Sequence, residues 1–436
     1  MLGLKKPTDT REHTQSYYAA TANNHTRYPE LKGTIDTEIA VIGGGFSGVN
    51  TALELAEKGY KVVLLEGNRI GWGATGRNGG QVIGGIGHGH ERFRKHIGES
   101  GIKALYDMGN ECVDIVQQRV DQYNIDCDLT MGYMDVALKP SHMRDFEEEK
   151  QHMEAMGYAH HQELLNADQV REEVGSDIYI GGLLNRTGHG HCHVLNLCLG
   201  EAAAAASLGV QVFEQSRVTK LQQGDKPIVY TQHGQVNALH VVLCGNAYLG
   251  NLVPKINRRI LPANSSVVTT KPLSQEMLNR LIPNNRAICD PRTALDYYRL
   301  TADGRLLFGG LSNYTGREPS NLFDVMYNKI TKVFPQLQGV ELEHGWSGQM
   351  GIGMNRMPQL GRLEGNVYYA QAYAGHGVAP THIMGRIIAD MIAGQAERFD
   401  IFAKIPHWPF PGGPLLRTPS FALAMMYYKL KDELAN

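Results

Sequence analysis

Three glycines and one acidic residue are the first candidates for chemistry in this sequence. Gly43, Gly45 and Gly48 have the spacing G-x-G-x-x-G, and Glu66 follows 18 residues later. Glycine permits a tight turn and lets a phosphate approach the backbone, while the free N–H groups of a helix that starts there attract a pyrophosphate. A carboxylate at Glu66 can accept hydrogen bonds from both ribose hydroxyls and would repel a 2′-phosphate. The glycine spacing therefore predicts a dinucleotide site, and the acidic residue argues against NADP.

The elements around these glycines make the prediction more specific. Residues 39–42 and 62–65 are short apolar runs, which are typical of buried parallel strands. Between them, apolar residues recur at helical spacing and Gly59 supplies a C-terminal stop. A glycine-rich strand–helix turn without a ligand is the alternative. The succession of strand, glycine turn, helix, strand and acidic residue favours a dinucleotide site over this alternative.

A second glycine-rich stretch, residues 69–81, follows the acidic residue and reads Arg-Ile-Gly-Trp-Gly-Ala-Thr-Gly-Arg-Asn-Gly-Gly-Gln. A simple NAD domain does not need such a loop. A flavin enzyme does, because backbone must run along the rest of an extended FAD. A flexible surface loop is the alternative that glycine alone would permit. We interpret the stretch as evidence for FAD rather than NAD.

Later segments are expected to return to the same nucleotide-binding unit. Val218 lies where the backbone could reach the adenine edge, and a strand over residues 241–244 ends at the small residue Gly245. A strand over residues 367–371 precedes the turn Gly-His-Gly at 375–377, and Pro380 opens a helix. The positive end of that helix could face the pyrimidine edge of a flavin and stabilise the negative charge formed on reduction.

Composition excludes several classes of protein. The chain has 436 residues and a formal net charge of −2, with no basic block that would indicate nucleic acid. The sequence contains no run of 18 or more apolar residues, so it predicts no membrane span. The N-terminus lacks the apolar segment of a secretory signal. The six cysteines form neither a C-x-x-C pair nor a zinc spacing, which suggests buried thiols in a reducing compartment. We therefore expect a cytoplasmic protein.

Two histidine-containing stretches raise the question of a metal site. Residues 188–193 read Gly-His-Gly-His-Cys-His, and His88 and His90 form a second alternating pair. Alternate residues of a strand share one face, but they would need further ligands, and no recognised metal motif supplies them. We interpret both stretches as structural, the first as a loop leading into the next helix, and we expect no metal.

The remaining elements indicate a second domain inserted into the first, and hence an α/β protein. Residues 101–123 are predicted as one long helix or two short ones, 131–138 as a strand and 142–156 as a charged surface helix. Strands are predicted over 266–270, 295–300 and 305–310. An apolar-aromatic helix over 422–430 should pack on the body or on a second subunit rather than touch a membrane, so homo-oligomerisation stays open. The expected boundaries are an N-terminal arm over 1–35, the nucleotide domain over 36–85, 157–254 and 340–400, the second domain over 86–156 and 255–339, and a C-terminal tail over 401–436.

Several stretches together resemble the family of FAD-dependent D-amino-acid oxidases and glycine oxidases. They are Glu66, Arg69, the Gly-Arg-Asn-Gly-Gly-Gln run at 76–81 and the turn at 375–377, with further likeness at 16–20, 245–250, 295–303, 356–359 and 407–413. The resemblance implies a Rossmann-type FAD-binding domain of the glutathione-reductase kind, interleaved with a mixed-sheet substrate domain. It also implies oxidation of a primary or secondary amine at the carbon that bears nitrogen. The residues that we expect to contact FAD are Gly43, Gly45, Phe46, Ser47, Gly48, Glu66, Gly67, Arg69, Gly73, Ala74, Thr75, Gly76, Arg77, Asn78, Gly79, Gly80, Gln81, Val218, Gly245, Gly375, His376, Gly377 and Val378.

One departure from the family pattern bears on the substrate. Members that oxidise amino acids commonly carry W-x-G-x-R-P, whose arginine clamps the substrate carboxylate, whereas Met350 occupies the arginine position here. Methionine cannot bind a carboxylate as an arginine does. We therefore expect a primary amine without a carboxylate near the reacting carbon, such as an amine derived from a polyamine. Arg299 could still provide a clamp, so a D-amino-acid or glycine oxidase or dehydrogenase remains the alternative.

The expected reaction passes a hydride from the amine carbon to flavin N5, after which the imine hydrolyses to an aldehyde and oxygen or another acceptor reoxidises the flavin. Tyr298 and Arg299 are the candidates for substrate contact, and His376 for the flavin edge. Some relatives attach flavin to a C-terminal cysteine, but none follows Cys289, so we expect non-covalent FAD. A further alternative is an FAD-binding protein that modifies or assembles a partner protein, with its tail as the docking surface.

Overall fold

The computed structural model describes residues 11–292, 295–313, 320–414 and 416–417. The predicted helix over 422–430 lies outside these residues. The strands are β1 Gly33–Ile42, β2 Val62–Leu65, β3 Gln81–Val82, β4 Thr130–Ala137, β5 Gln162–Asn166, β6 Gly181–His191, β7 Gln211–Phe213, β8 Lys220–Gln222, β9 Ile228–Tyr230, β10 Gly234–Leu243, β11 Leu261–Thr270, β12 Ala287–Cys289, β13 Tyr297–Leu300, β14 Leu306–Asn313, β15 Leu342–Ile352, β16 Gln359–Arg362 and β17 Val367–Gln371. The α-helices are α1 Tyr17–Ala20, α2 Phe46–Glu57, α3 Arg94–Tyr123, α4 Pro140–Ala155, α5 Ala167–Glu173, α6 Val194–Ser207, α7 Pro254–Asn257, α8 Gln275–Leu281, α9 Leu322–Val333, α10 Pro380–Ile392 and α11 Glu397–Ala403.

The first sheet is mostly parallel and has β1 near its centre. Its strand order is β16-β17-β10-β1-β2-β7, with β9 paired to β10 and β8 paired to β9. β1 runs parallel to both β2 and β10, and its last four residues are buried. The helices α2, α3, α6 and α10 contribute to the core that covers one face. This burial explains why the sequence shows continuous apolar runs rather than alternation at these strands.

The second sheet is mixed and contains the order β15-β11-β14-β13-β12-β4-β6-β3, with β5 paired to β6. Most neighbours are antiparallel, whereas β12 and β4 run parallel. Residues of its strands alternate between two cores. Val268, Tyr298 and Phe308 pack with α5, α8 and α9, while Val267 and Leu307 join the core of the first sheet. One face of this sheet therefore packs towards the nucleotide-binding unit.

The strand memberships differ from the expected domain boundaries in three places. β3, the pair β5–β6 and β15 belong to the second sheet, although the expected boundaries assign their residues to the nucleotide domain. The interpretation of residues 188–193 as a loop is corrected too, because β6 continues to His191 and pairs with β4 as far as Thr130. Glycine-rich strands of this kind lack the apolar alternation that identifies a strand in a sequence.

The N-terminal arm reaches into the protein instead of only covering its surface. Tyr17 and Tyr18 of α1 are both buried, and Ser16 caps this short helix by accepting a hydrogen bond from the N–H of Ala19. Among the described residues, no helix combines the length and the apolar character needed to span a bilayer.

Candidate active site

The glycine turn after β1 leaves the N-terminus of α2 open. Gly43 has φ +113°, a conformation that favours glycine, and a Cβ placed on Gly48 would lie 1.8 Å from the carbonyl oxygen of Gly43. Gly45 caps α2 without any side-chain hydrogen bond. The helix end is therefore bordered by backbone, with its positive dipole end available to a phosphate.

Glu66 lies next to this turn, directly after β2. Its carboxylate accepts hydrogen bonds from the N–H of Gly44 at 2.6 Å and of Asn68 at 2.8 Å. Burial raises the pKa of Glu66, and these two N–H groups oppose that shift. Gly67 packs against Arg217, the neighbour of the predicted adenine-edge residue Val218. The structure thus brings the two glycine turns, the acid and the 217–218 backbone to one edge of the first sheet.

The second glycine loop is joined to α2 and is braced from within. The backbone N–H of Phe46 donates to Thr75 Oγ1 at 3.0 Å. The Asn78 side chain donates to the carbonyls of Ala74 and Thr75 and accepts from the N–H of Gly80, all within 3.1 Å. Asn78 therefore holds the loop in shape instead of presenting its amide to a ligand.

The two arginines predicted near FAD hold this loop at its start and its middle. Arg69 pairs with the buried Glu214, whose carboxylate also accepts from the N–H of Ile70. Arg77 donates from Nε to the carbonyl of Trp72 at 2.8 Å, and its guanidinium lies 4.2 Å from the centroid of the Trp72 ring. Both side chains shape the backbone on which the cofactor would lie.

The end of the loop lies against β12 and β13 of the second sheet. Gln81 donates from Nε2 to the carbonyl of Ile288 at 3.0 Å. A Cβ on Gly79 would lie 2.2 Å from the ring of Tyr297, so this approach requires glycine. Arg299 donates from Nε to the carbonyl of Gly79 at 2.9 Å.

Tyr298 occupies the other face of β13. Its hydroxyl donates to that of Tyr179 at 2.7 Å, and its ring stacks on Phe308 with 5.3 Å between centroids. This side chain lies inside the core formed with α5, α8 and α9. The structure therefore brings Tyr297, which the sequence reasoning did not select, to the glycine loop, and it does not bring Tyr298 there.

The turn before α10, which follows β17 of the first sheet, lies on another side of this site. Gly375 has φ +86°, and a Cβ there would lie 3.0 Å from Met350 Sδ, so the methionine at the family's arginine position faces this turn. Tyr373 accepts a hydrogen bond from Ser47 Oγ at 2.7 Å, which ties this turn to α2. Gly245 lies two residues after the end of β10, and the side chain of its neighbour Asn246 accepts from the N–H of Ala372 at 3.1 Å.

Comparison with known proteins decides the family. Residues 38–391 match the family model described as "DAO: FAD dependent oxidoreductase". This chain belongs to that family of FAD-dependent oxidoreductases. It is 45% identical over 424 residues to gamma-glutamylputrescine oxidoreductase of Escherichia coli K12, covering 97% of this chain and 99% of the relative. It is 40% identical over 430 residues to the probable oxidoreductase OrdL of Haemophilus influenzae, covering 97% and 98%.

The fold comparison agrees with this family. The structure of glycine oxidase from Bacillus cereus superposes with a TM-score of 0.68 at 22% identity, covering 84% of this chain and 97% of that one. The α/β fold with mixed sheets and the use of FAD are thereby confirmed for this FAD-dependent oxidoreductase. The observed cradle fits that cofactor, because an open helix N-terminus, a buried carboxylate and a second close-packed glycine loop adjoin one another.

Three histidines of the oxidoreductase meet beside the 375–377 turn, two of which the sequence reasoning had set aside. The rings of His88 and His376 lie 5.8 Å apart between centroids, and a Cβ on Gly84 would lie 3.3 Å from His189 Nε2. The atoms His88 Nε2, His189 Nδ1 and His376 Nε2 have no hydrogen-bond partner among the described residues. Burial lowers the pKa of His88 and of His189 to about 3 and also lowers that of His376. These rings are therefore neutral near pH 7 and can offer uncharged acceptors.

A metal is not indicated in this region. Across the ranges that the structure describes, no group of three or more His, Cys, Asp and Glu side chains is arranged to hold one.

A buried pair, also missed by the sequence reasoning, links three helices behind the site. His382 of α10 contacts Glu201 of α6 at 2.7 Å through Nε2, and its Nδ1 lies 2.7 Å from the carbonyl oxygen of Val378. Asn50 of α2 donates to Glu201 at 3.0 Å and to the carbonyl of Phe46. The pair therefore fixes the N-terminal turns of α2 and α10 relative to each other.

Proposed function

We propose that this FAD-dependent oxidoreductase oxidises a primary amine to an aldehyde, with gamma-glutamylputrescine as the leading candidate substrate. The observation that carries the proposal is Met350, which faces the Gly375 turn at the position where family members that oxidise amino acids have a carboxylate-binding arginine. The 45% identity to gamma-glutamylputrescine oxidoreductase over 97% of the chain supports the same substrate.

We propose the following roles for the residues around the cofactor. The N-terminus of α2 binds the pyrophosphate, Glu66 binds the ribose hydroxyls, and the loop over 73–81 runs along the rest of the molecule. The turn at 375–378 and the start of α10 lie at the flavin edge. Bound FAD supplies the acceptor for the hydride that leaves the amine carbon, and oxygen or another acceptor then takes the electrons.

The surroundings of Met350 suit an uncharged amine better than a carboxylate. Met350 packs in an apolar cluster with Leu261, Ala374 and Phe410, the last of which comes from the C-terminal segment. The three neutral histidines at the same turn can accept hydrogen bonds from amine N–H groups without adding charge. An amine that binds unprotonated then needs no further base before it loses its hydride.

The amino-acid alternative requires an arginine that is free to clamp a carboxylate. Arg299, the candidate for that role, is 3% exposed and donates hydrogen bonds to four oxygen atoms of the protein. This arrangement favours the amine over a D-amino acid or glycine. Reoxidation kinetics with oxygen and with a quinone will identify the electron acceptor.

Anaerobic titration of the yellow protein tests the substrate directly. Gamma-glutamylputrescine is expected to bleach the flavin absorbance stoichiometrically, and putrescine to do so more slowly. Bleaching by D-alanine or glycine, without bleaching by gamma-glutamylputrescine, would establish the amino-acid alternative. Failure of every amine and amino acid to reduce a flavin that dithionite reduces would reject both.

Non-covalent attachment of FAD is proposed from the cysteines. None follows Cys289 in the sequence, and all six are buried. Acid precipitation should release all of the yellow colour into the supernatant, and flavin retained in the pellet would contradict this expectation.

A further inference from the structure

Arg299 of β13 is a buried cation that is held by neutral oxygen atoms of the protein. Its guanidinium donates to the carbonyls of Gly79 at 2.9 Å, Leu300 at 3.0 Å and Cys192 at 2.9 Å, and to the hydroxyl of Tyr18 at 3.1 Å. Among the residues that the structure describes, no carboxylate oxygen lies within 4.0 Å of it. These oxygens accept four of the five N–H groups of Arg299 without neutralising its charge.

Asp128 is a carboxylate near Arg299: burial raises its pKa, and the charge of Arg299 opposes that shift from a distance beyond 4.0 Å. The groups that lie closer to Arg299 supply no negative charge. The pKa of His191 and of His193 is lowered to about 3, by burial and then by the charge of Arg299, so both rings are neutral. Burial also raises the pKa of Tyr18, which keeps its hydroxyl protonated. A buried charge left in this state is unfavourable unless an anion completes its surroundings.

Arg305, which directly precedes β14 of the same sheet, is an arginine whose charge is balanced by acids. It pairs with Asp303 at 2.7 Å and with Glu343, and it also donates to the carbonyl of Thr270 at 2.9 Å. The two arginines stand over neighbouring tyrosines, since the guanidinium carbon of Arg305 lies 5.9 Å from the ring of Tyr17 and that of Arg299 lies 6.0 Å from Tyr18. Within the described part of the chain, Arg305 has two carboxylates within 4.0 Å and Arg299 has none.

The charge of Arg299 lies directly behind the second glycine loop. A Cβ on Gly80 would lie 2.8 Å from Arg299 Nη2 and 2.9 Å from Nε, so the guanidinium touches the backbone there. A positive charge this close, in an interior of low dielectric, acts on whatever lies on the other side of the loop. Two-electron reduction of a flavin with uptake of one proton adds one negative charge to it.

We propose that Arg299 is a positioning residue which fixes the Gly79–Gly80 backbone and whose unpaired charge stabilises the reduced, negatively charged flavin. This inference rests on the proposed course of the loop along FAD. It replaces the interpretation of Arg299 as a substrate clamp, because Nε and both hydrogens of Nη2 already donate to protein oxygens, as does Nη1, which leaves no pair of N–H groups for a bidentate carboxylate.

The midpoint potential of the bound flavin tests the inference without any amine substrate. Arg299→Gln should shift the equilibrium towards oxidised flavin at least tenfold, which equals about 30 mV for two electrons. Arg299→Lys keeps the charge, so its midpoint potential should stay closer to that of the unaltered protein, although it should release flavin more readily. Arg305→Gln is the matched control. It should lower thermal stability while changing the equilibrium between oxidised and reduced flavin by less than a factor of two.

A measurement on the unaltered protein covers the case in which Arg299→Gln does not fold. If the reduced flavin is an anion, its potential should change with pH as one proton per two electrons between pH 6 and 8, or about 30 mV per pH unit. Uptake of two protons per two electrons would overturn the inference, as would a potential of Arg299→Gln equal to that of the unaltered protein. Neither result would depend on which amine is oxidised, so the proposed substrate is tested separately.

Discussion

At the scale of single residues, Met350 bears most directly on the choice of substrate. It occupies the position of a charged side chain in relatives that oxidise amino acids, and the structure places its sulfur beside the Gly375 turn. Exchange of one apolar side chain for a guanidinium changes the charge of this region by one unit. The preference between an amine and an amino acid should therefore depend on this position.

Met350→Arg is expected to raise the KM for the amine about tenfold, because the new cation repels an amine that is mostly protonated in solution, and tenfold corresponds to about 1.4 kcal/mol. Turnover of glycine or D-alanine should become measurable. Steady-state kinetics with both substrate classes check this, and Met350→Leu, which conserves apolar volume, serves as the control. Equal KM values for Met350→Arg and Met350→Leu would show that this side chain does not face the substrate.

Glu66 offers a second test at this scale, because its carboxylate already accepts two backbone N–H groups and, as proposed, binds the ribose. Glu66→Gln places an N–H₂ group where an acceptor is needed and should weaken FAD binding by roughly 1–3 kcal/mol. Dissociation constants for FAD and apoprotein measure the effect. The exposed Glu364→Gln is the control, and unchanged affinity in Glu66→Gln would remove Glu66 from the ribose site.

At the scale of elements, strand β13 shows how a period of two divides neighbouring residues between different roles. Tyr298 faces the core with α5, α8 and α9, while Tyr297 and Arg299 face the glycine loop. Alternation of side chains was evident from the sequence. Which face met the nucleotide-binding unit depended on the packing of two sheets, and the sequence pattern carries no such information.

The buried pair of Glu201 and His382 acts at the same scale, because it joins α6 and α10 and reaches α2 through Asn50. Glu201→Ala leaves the imidazole of His382 without its partner, which should reduce the free energy of unfolding by about 3–5 kcal/mol. Urea denaturation of the holoprotein measures this loss.

A double variant, Glu201→Leu with His382→Leu, separates the pair from general packing. It should be more stable than Glu201→Leu alone, since the imidazole of His382 no longer remains buried without its carboxylate partner. Strictly additive losses in the two single variants would contradict a direct interaction between the side chains.

At the scale of the whole molecule, buried neutral histidines make stability depend on pH. His191 and His193 are each 2% exposed, and their pKa values are lowered to about 3. The geometry agrees with neutral rings: His193 Nδ1 accepts from the N–H of Asn196, and His191 contacts the carbonyl of Asn285 through Nε2. In the unfolded chain a histidine takes up its proton near pH 6.5, so the unfolded state binds more protons below that pH.

The stability contributed by these histidines is therefore present above about pH 6.5 and is lost as the pH falls towards 3, by up to about 1.4 kcal/mol per pH unit for each ring. His193→Asn keeps an acceptor at the N-cap of α6 and removes one titrating group, so its stability should fall less steeply between pH 7 and 5. Thermal unfolding across this range is the measurement, with the exposed His25→Asn as control. Identical slopes for His193→Asn and the unaltered protein would refute the assignment.

The sequence by itself determined the local features of this protein. The turn from β1 into α2, the acid after β2, the second glycine loop and the turn before α10 all follow from glycine spacing and apolar periodicity, which are properties of neighbouring residues. These features, with the resemblance to D-amino-acid and glycine oxidases, were enough to predict the α/β fold and FAD, and both are confirmed.

Only the tertiary structure decided which distant residues meet. It assigned β3, β5, β6 and β15 to the second sheet, placed Tyr297 rather than Tyr298 at the loop, and brought His88 and His189 to His376. It also showed Arg299 enclosed by carbonyl oxygens. The physical reason is that sheet order and facing depend on contacts between different segments, some of them more than a hundred residues apart, whereas a sequence pattern records only the preferences of each segment.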